Sequence, residues 1–491
     1  VCCARRPKNE VGSHAMIKYI GDEPCNHKHR MRQLCLMPGI MGAAPCAGYY
    51  GCQVNELVSI CERHNKPQPN LNQRMIILCD YAFQLFRNDY PVKQLVPMTQ
   101  EECIREASPN RRTRMRKAYE NLNSNGPHRL WNRHHGFLKW EAYEDDVFDP
   151  LEDKAPRLIQ HRSDEFCYEL ARYMKPLEKY ILYKVKGKYV KPINRVFTKG
   201  LNSFQVGSNL AKAWFSLADP VAVELDFSKF DSSIRDHMFR MFLKYAKDCY
   251  RHDRSFRDMV DSVRKSRGWT VNQILYEMVA TLLSGDYWTS LVGNVMNYSF
   301  QRAFLEYHRA LGNPKINGDD GVLFMERKEF LKCNFEFFEW LGMSIKVIVK
   351  YDISEIDFCQ CRPMRVGGLW RMVRNPGRVV ARCCYTTKEY PNKSGYRKLQ
   401  GAVAMGEMHC NSGVPIISVF AERMFKSVDG EYSQALYDEY MARRGGEKQL
   451  DLPITMESRV DFFCSFGIPV FEQLRIERWL RTVELLNIAR P

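Results

Sequence analysis

The stretch that decides the reading is INGDDGVLFM, residues 316–325, where two adjacent carboxylates, Asp319 and Asp320, follow a glycine inside an otherwise apolar run. Residues 321–325 have the apolar content and alternation of a short buried strand. Residues 315–318 read as the turn leading into it. Adjacent aspartates at a hairpin tip either stand in water or hold a cation. Gly-Asp-Asp alone is a weak signal, because any surface turn can have that composition.

The bulk composition narrows the choice. The chain has 491 residues, 45% hydrophobic and 12% aromatic. That is enough for roughly two to four ordinary domains or one large multi-lobed enzyme, and it excludes a disordered protein. Lys and Arg number 73 against 57 Asp and Glu, a net charge of +16. Such a balance favours a polyanionic partner, nucleic acid ahead of a membrane surface. The 18 cysteines are spread along the chain without a secretory leader and read as reduced thiols in a cytosolic setting. Cys25, His27, His29 and Cys35 cluster early, but their spacing matches no common zinc pattern. No run approaches the roughly 20 apolar residues of a spanning helix, so no transmembrane segment is expected. The chain begins at Val1 with its first methionine at Met16, which leaves room for a longer translation product upstream.

Three runs concentrate the basic charge: residues 105–139, 172–199 and 361–400. Any one alone reads as a solvated face. Three together, with aromatic residues interleaved, fit a channel that follows a phosphate backbone. Residues 60–135 read as mostly helical. Residues 163–182 carry Phe166, Leu170, Tyr173, Leu177 and Ile181 at helical spacing. VAVELDF (221–227) reads as a buried strand followed by a helix-like segment to Tyr250, and a long helix follows SGDYWTSLVGN (284–294). SIKVIVKY (344–351) is a further strand, and the last 120 or so residues look mainly helical. Strands and helices interleave without strict alternation, which predicts an α+β fold.

Asp226 ends the predicted strand, and Asp231 follows in DFSKFD. If that strand neighbours the one after Asp319, Asp226 and Asp319 converge. Oxygen-only ligands of this kind suit Mg²⁺ or Mn²⁺. Two such ions ~4 Å apart clamp the attacking and leaving oxygens of an in-line phosphoryl displacement.

The ordered set DFSKFD, SGDYWTSLVGN, INGDDG and FCQ (358–360) resembles motifs A, B, C and E of the viral RNA-dependent RNA polymerases of positive-strand RNA viruses. FLKWE (137–141) and KAPRLIQHR (154–162) resemble the basic motif F of that family. Together with LARYMKPLE (170–178) and TKGLNSFQVG (198–207), they look most like its tombusvirus-like branch. The resemblance covers about residues 105–365. It implies a right-hand polymerase with fingers, palm and thumb and an antiparallel palm sheet packed on helices. The expected division is an N-terminal extension of unknown role at 1–59, fingers at 60–218, palm at 219–239, a fingers insert at 240–278, palm at 279–357, and motif E with the thumb at 358–491.

The resemblance also implies roles. Asp226, Asp319 and Asp320 would bind two Mg²⁺ ions (Mn²⁺ being an alternative), and Lys346 would protonate the leaving pyrophosphate. Lys154, Arg157 and Arg162 would hold the nucleoside triphosphate. Asp231, Ser284, Thr289 and Asn294 would line the ribose pocket. Lys139, Arg111, Arg112, Gly285, Phe358, Cys359 and Gln360 would contact template or primer. The expected activity is RNA synthesis on an RNA template from NTPs, alongside other viral replication proteins, in a membrane-associated complex of the host cytoplasm. A reverse transcriptase and a basic RNA-binding scaffold with an inert acidic turn are the rivals, separable by dNTP use and by RNA binding without product.

Overall fold

The computed structural model describes residues 15–19, 32–33, 35–36, 46–47, 49, 51–64, 72–139, 143–144, 155–183, 195–263, 265–279, 282–386, 388–443 and 451–487. Lys154, and Cys25, His27 and His29 of the early Cys/His group, lie outside these residues. Helices and antiparallel sheets are mixed, as the interleaved pattern predicts.

A four-stranded sheet runs in the order Asn313–Asn317, Asp320–Glu326, Pro220–Phe227, Ile345–Lys350, with every pair antiparallel. Its strands are apolar on both faces because both faces are covered. Val221, Val223, Leu225, Leu323 and Met325 enter the largest core cluster. Ala222, Val322 and Phe324 pack on the other side with Trp214, Phe358 and Met372. Each large apolar side chain so buried contributes roughly 1.5–3 kcal/mol.

The helix Thr289–His308 crosses the main core and is buried on nearly all sides, from Leu291 to Leu305. A helix without a polar face has to be interior, and this one forms a rigid floor beneath the sheet's hairpin. Asp164–Tyr183 is helical as its spacing predicts, with Phe166, Leu170, Tyr173, Leu177 and Ile181 all buried.

Three features depart from the sequence reading. The segment after Phe227 is two helices, Phe230–Ser233 and Asp236–Cys249. Lys229 is left-handed at φ 53° and Ile234 is extended, and this break turns Asp231 out of the helical line. The last 120 or so residues are mainly helical as expected, but a hairpin that the reading did not name, Cys361–Val366 and Leu369–Arg374, leads into them. Its turn is Gly367–Gly368, both at positive φ, a pairing that only glycine supplies cheaply. The strand His134–Leu138 arises where helix was expected to end, in a five-stranded sheet ordered Ala15–Tyr19, Ile274–Val279, Lys265–Thr270, His134–Leu138, Leu158–His161. That sheet gathers strands from both 60–218 and 240–278 with one from 1–59. Within 1–59, Arg32–Gln33 also pairs with Tyr385–Thr386, and Cys35–Leu36 with Leu486–Asn487.

Candidate active site

The two strands of INGDDGVLFM meet in a two-residue turn, with Asn317 opposite Asp320. Gly318 takes the first central position at φ 71°, the geometry that matches the twist of the flanking strands. Asp319 is therefore at the tip, and Asp320 is the first residue of its strand. Gly321 pairs with Leu225, so one step outward Asp320 lies beside Asp226. On the other flank Lys346 pairs directly with Asp226. Asp320, Asp226 and Lys346 thus form one row across three neighbouring strands, on a single face. The sequence-distant acids converge.

Polar side chains of the buried helix hold the turn. Asn297 donates to the carbonyls of Gly318 at 3.0 Å and Asp319 at 3.1 Å. Gln301 donates to Asn297 Oδ1 at 2.7 Å. Asn294 accepts the Gly318 N–H at 3.1 Å and donates to the Ser290 carbonyl at 2.7 Å. This corrects the expectation that Asn294 lines the ribose pocket. Asn294 is fully buried and is not among the residues that line the cleft.

Asp319 and Asp231 line a common cleft of about 1030 Å³, with Gly285, Thr289, Arg111 and Lys199 also on its walls. Ser284 Oγ donates to Asp231 Oδ2. Burial, with a contribution from Asp319, pushes the Asp231 carboxyl up to about 6, against the Ser284 hydrogen bond and the charges of Arg157 and Lys139. Both cations therefore act on this carboxylate, and the Lys139 N–H donates to the Arg157 carbonyl at 2.7 Å. Thr289, which lines the cleft, donates from Oγ1 to the Leu283 carbonyl at 2.7 Å.

Four expectations change. Arg162 lines the cleft but is only 2% exposed, and its Nε donates to both oxygens of Asp286, at 3.0 and 3.2 Å, so its guanidinium is engaged by protein. Arg112 donates to the carbonyls of Arg105 and Ala107 and closes the end of the helix Gln100–Arg105, whereas Arg111 lines the cleft. Gly285, at φ 101°, brings its backbone against Ile159 and Gln160, where a Cβ would sit 2.7 Å from the Ile159 methyl, so the close approach is to protein. Phe358 is a core residue. Cys359 and Gln360, both at positive φ, form the turn between Phe358 and Cys361. Asn317 Nδ2 donates to Cys359 Sγ at 3.3 Å, tying that turn to the hairpin.

The reading from sequence missed Asn297, Gln301, His134 and Asp286. Only Asp286 carried a signal, a charge two residues after Ser284 at the mouth of an apolar helix.

The carboxylates repel one another. Desolvation, then Asp319, Asp226 and Asp357, push Asp320 up to about 6, against a hydrogen bond from Cys359. A divalent cation would relieve that repulsion, and an all-oxygen donor set is the one Mg²⁺ and Mn²⁺ prefer. Among the described residues no three His, Cys, Asp or Glu side chains already stand in chelating positions. The donor chemistry fits the ions.

A family model described as viral RNA dependent RNA polymerase matches residues 78–487, which take in the whole site. The chain is similar to the RNA-directed RNA polymerases of Tomato bushy stunt virus (strain Cherry), at 29% identity over 70% of this chain and 42% of the relative, and of Red clover necrotic mosaic virus, at 25% over 71% and 46%. It also resembles that of Tobacco necrosis virus (strain D), at 28% over 66% and 47%. The chain spans a little under half the length of these relatives. A match running through nearly all of the chain, over a site whose acids converge from distant strands, leads to one conclusion: the chain belongs to the viral RNA-dependent RNA polymerase family.

Proposed function

We propose that this chain synthesises RNA on an RNA template, joining NTPs to a 3′-OH by a two-metal mechanism, and so replicates a positive-strand viral genome. The row Asp320–Asp226–Lys346, beside a cleft that also carries Asp231, is the observation that supports this reading. The 3′-oxygen attacks the α-phosphorus, a new P–O bond forms, and the α–β bridge breaks to release pyrophosphate. Two divalent ions held by Asp226, Asp319 and Asp320 would supply the Lewis-acid clamp on the attacking and leaving oxygens.

The protein's own side chains do the rest. Lys346, in register with Asp226, donates a proton to the departing pyrophosphate. Arg157 and Lys139, with Lys154, neutralise the triphosphate. Asp231, Ser284 and Thr289 receive the ribose, and a carboxylate built to accept from the 2′-OH penalises a sugar that lacks it. Cys359 and Gln360 support the primer end from their turn.

The four-stranded sheet with the helix Thr289–His308 would be the palm, residues 219–239 and 279–357. The five-stranded sheet would belong to fingers formed by 60–218 and 240–278, and 358–491 would form the thumb. Among the described residues no helix is long and apolar enough to cross a membrane. We place its work in a membrane-associated complex of the host cytoplasm, with viral replication partners.

A primed incorporation assay on an RNA template, run with NTPs and with dNTPs, tests the proposal. The wild type should extend with NTPs, and Asp319→Ala should bind RNA without extending it. Wild-type-like extension by that variant rejects the assignment, and efficient use of dNTPs would favour a reverse transcriptase.

A further inference from the structure

Asp286 has no place in the mechanism above, yet it is the most heavily engaged carboxylate near the cleft. Arg162 Nε reaches it at 3.0 and 3.2 Å, His134 Nε2 at 3.0 Å and the Tyr287 N–H at 2.8 Å. Arg162 also donates to the Asn132 carbonyl and lies 5.0 Å over the Phe166 ring. All three side chains are buried: His134 is 0%, Arg162 2% and Asp286 7% exposed. Burial holds His134 down at about 4, so it is neutral and donates from Nε2. Arg162 and His134 hold the Asp286 carboxyl below the usual carboxylate range in spite of its burial. With those donors in place, Asp286 is occupied as an acceptor and does not act on substrate.

Its consequence is felt two residues earlier. The Ser284 carbonyl accepts the Gln160 N–H at 2.8 Å, and Gly285 leaves no room for a Cβ against Ile159. The Asp286 N–H returns to Leu283 at 3.1 Å, and its carbonyl accepts from Thr289 at 3.1 Å. The loop 283–289 is thus bolted to the strand Leu158–His161 at Ser284 and to its flank at Asp286. That fixed loop aims Ser284 Oγ at Asp231 Oδ2. The serine bond pins one carboxylate oxygen of a residue that lines the cleft.

We propose that Asp286, clamped by Arg162 and His134, is a positioning residue for sugar selection, which it exerts by fixing the Ser284–Asp231 pair. The inference rests on the polymerase reading and deepens it. A loosened loop would let Asp231 rotate, and the advantage of a ribose over a deoxyribose would fall.

The test measures kcat/KM for CTP and dCTP in single-nucleotide incorporation. Asp286→Asn should lower the CTP/dCTP ratio about tenfold or more, through a higher KM for CTP with dCTP little changed. Ser284→Ala should lower it similarly, and the double variant should go no further, since both act through one pair. Asp286→Glu should restore part of the ratio. If Asp286→Asn does not fold, the exchange Arg162→Met with Asp286→Leu removes both charges together and should lower the ratio in the same way. An equal loss for CTP and dCTP, or additive effects of the Ser284 and Asp286 changes, overturns the inference while leaving the polymerase reading intact. A wild-type chain that incorporates neither nucleotide rejects both.

Discussion

Two loops flank the same cleft, and they are held by opposite means. The Gly318–Asp319 turn rests on neutral side chains, Asn294, Asn297 and Gln301, rising from the buried helix. The 283–289 loop is held by an ion pair, Arg162 with Asp286, completed by neutral His134. A cation beneath Asp319 would cancel the negative field that has to attract divalent ions, whereas amides orient the turn and leave that field intact. The second loop carries no such constraint. Its charges sit inside the wall, neutralise each other, and stiffen a backbone whose task is to aim one hydroxyl. Support beneath the acid proposed to hold metal is neutral, and support beneath the loop proposed to position Ser284 is charged.

The largest effect should come from the hairpin tip itself. Asp319 is exposed, so Asp319→Ala should leave thermal stability within about a degree while nucleotide incorporation drops roughly 10³-fold or more, the several kcal/mol such a ligand supplies. A large loss of melting temperature would show that the carboxylate is structural. Next, Arg162→Met should cost about 3–5 kcal/mol in denaturant unfolding, because it strands a buried Asp286. The exchange Arg162→Met with Asp286→Leu should cost clearly less. A double variant as unstable as the single would break the charge side of the comparison.

Acid should weaken the clamp while it relieves the hairpin, where the raised Asp320 carboxyl takes up its proton in the same pH range. The His134 pKa is about 4 folded and about 6.5 unfolded. The unfolded chain therefore takes up the proton first as pH falls. This contribution to stability is full above pH ~6.5 and is lost down to pH ~4, about 3 kcal/mol in all. Asp286 titrates below that window. His134→Gln should flatten the slope measured by unfolding between those pH values, and an unchanged slope would remove His134 from the account. The smallest change is expected from Asn297→Ala. Losing donors to two carbonyls should cost about 2 kcal/mol of stability, together with slower incorporation, whereas full activity would mean that the turn holds its own shape.

What the residues announced in linear order was local. Strand and helix periodicity located Pro220–Phe227, Asp320–Glu326, Ile345–Lys350 and Asp164–Tyr183. Glycine beside paired aspartates located the hairpin tip, and the acids could be nominated because carboxylates in an apolar strand need a reason. Local patterns also misled where a long-range partner decided the outcome. The hairpin after Cys361 carried a signal in its Gly-Gly turn that the sequence reading did not take up. The strand His134–Leu138 exists because Leu158–His161 and Lys265–Thr270 accept it.

The sequence by itself determined which side chains had chemistry to offer: Asp226, Asp231, Asp319, Asp320 and the basic residues around them. Only the tertiary structure decided which of them were free to use it. It committed Arg162 to Asp286 and Asn294 to Gly318, and it kept Asp231 facing the cleft. The reason is that a hydrogen-bond donor or a charge serves whichever partner lies within about 3 Å, and that distance is set by packing between elements far apart in the chain.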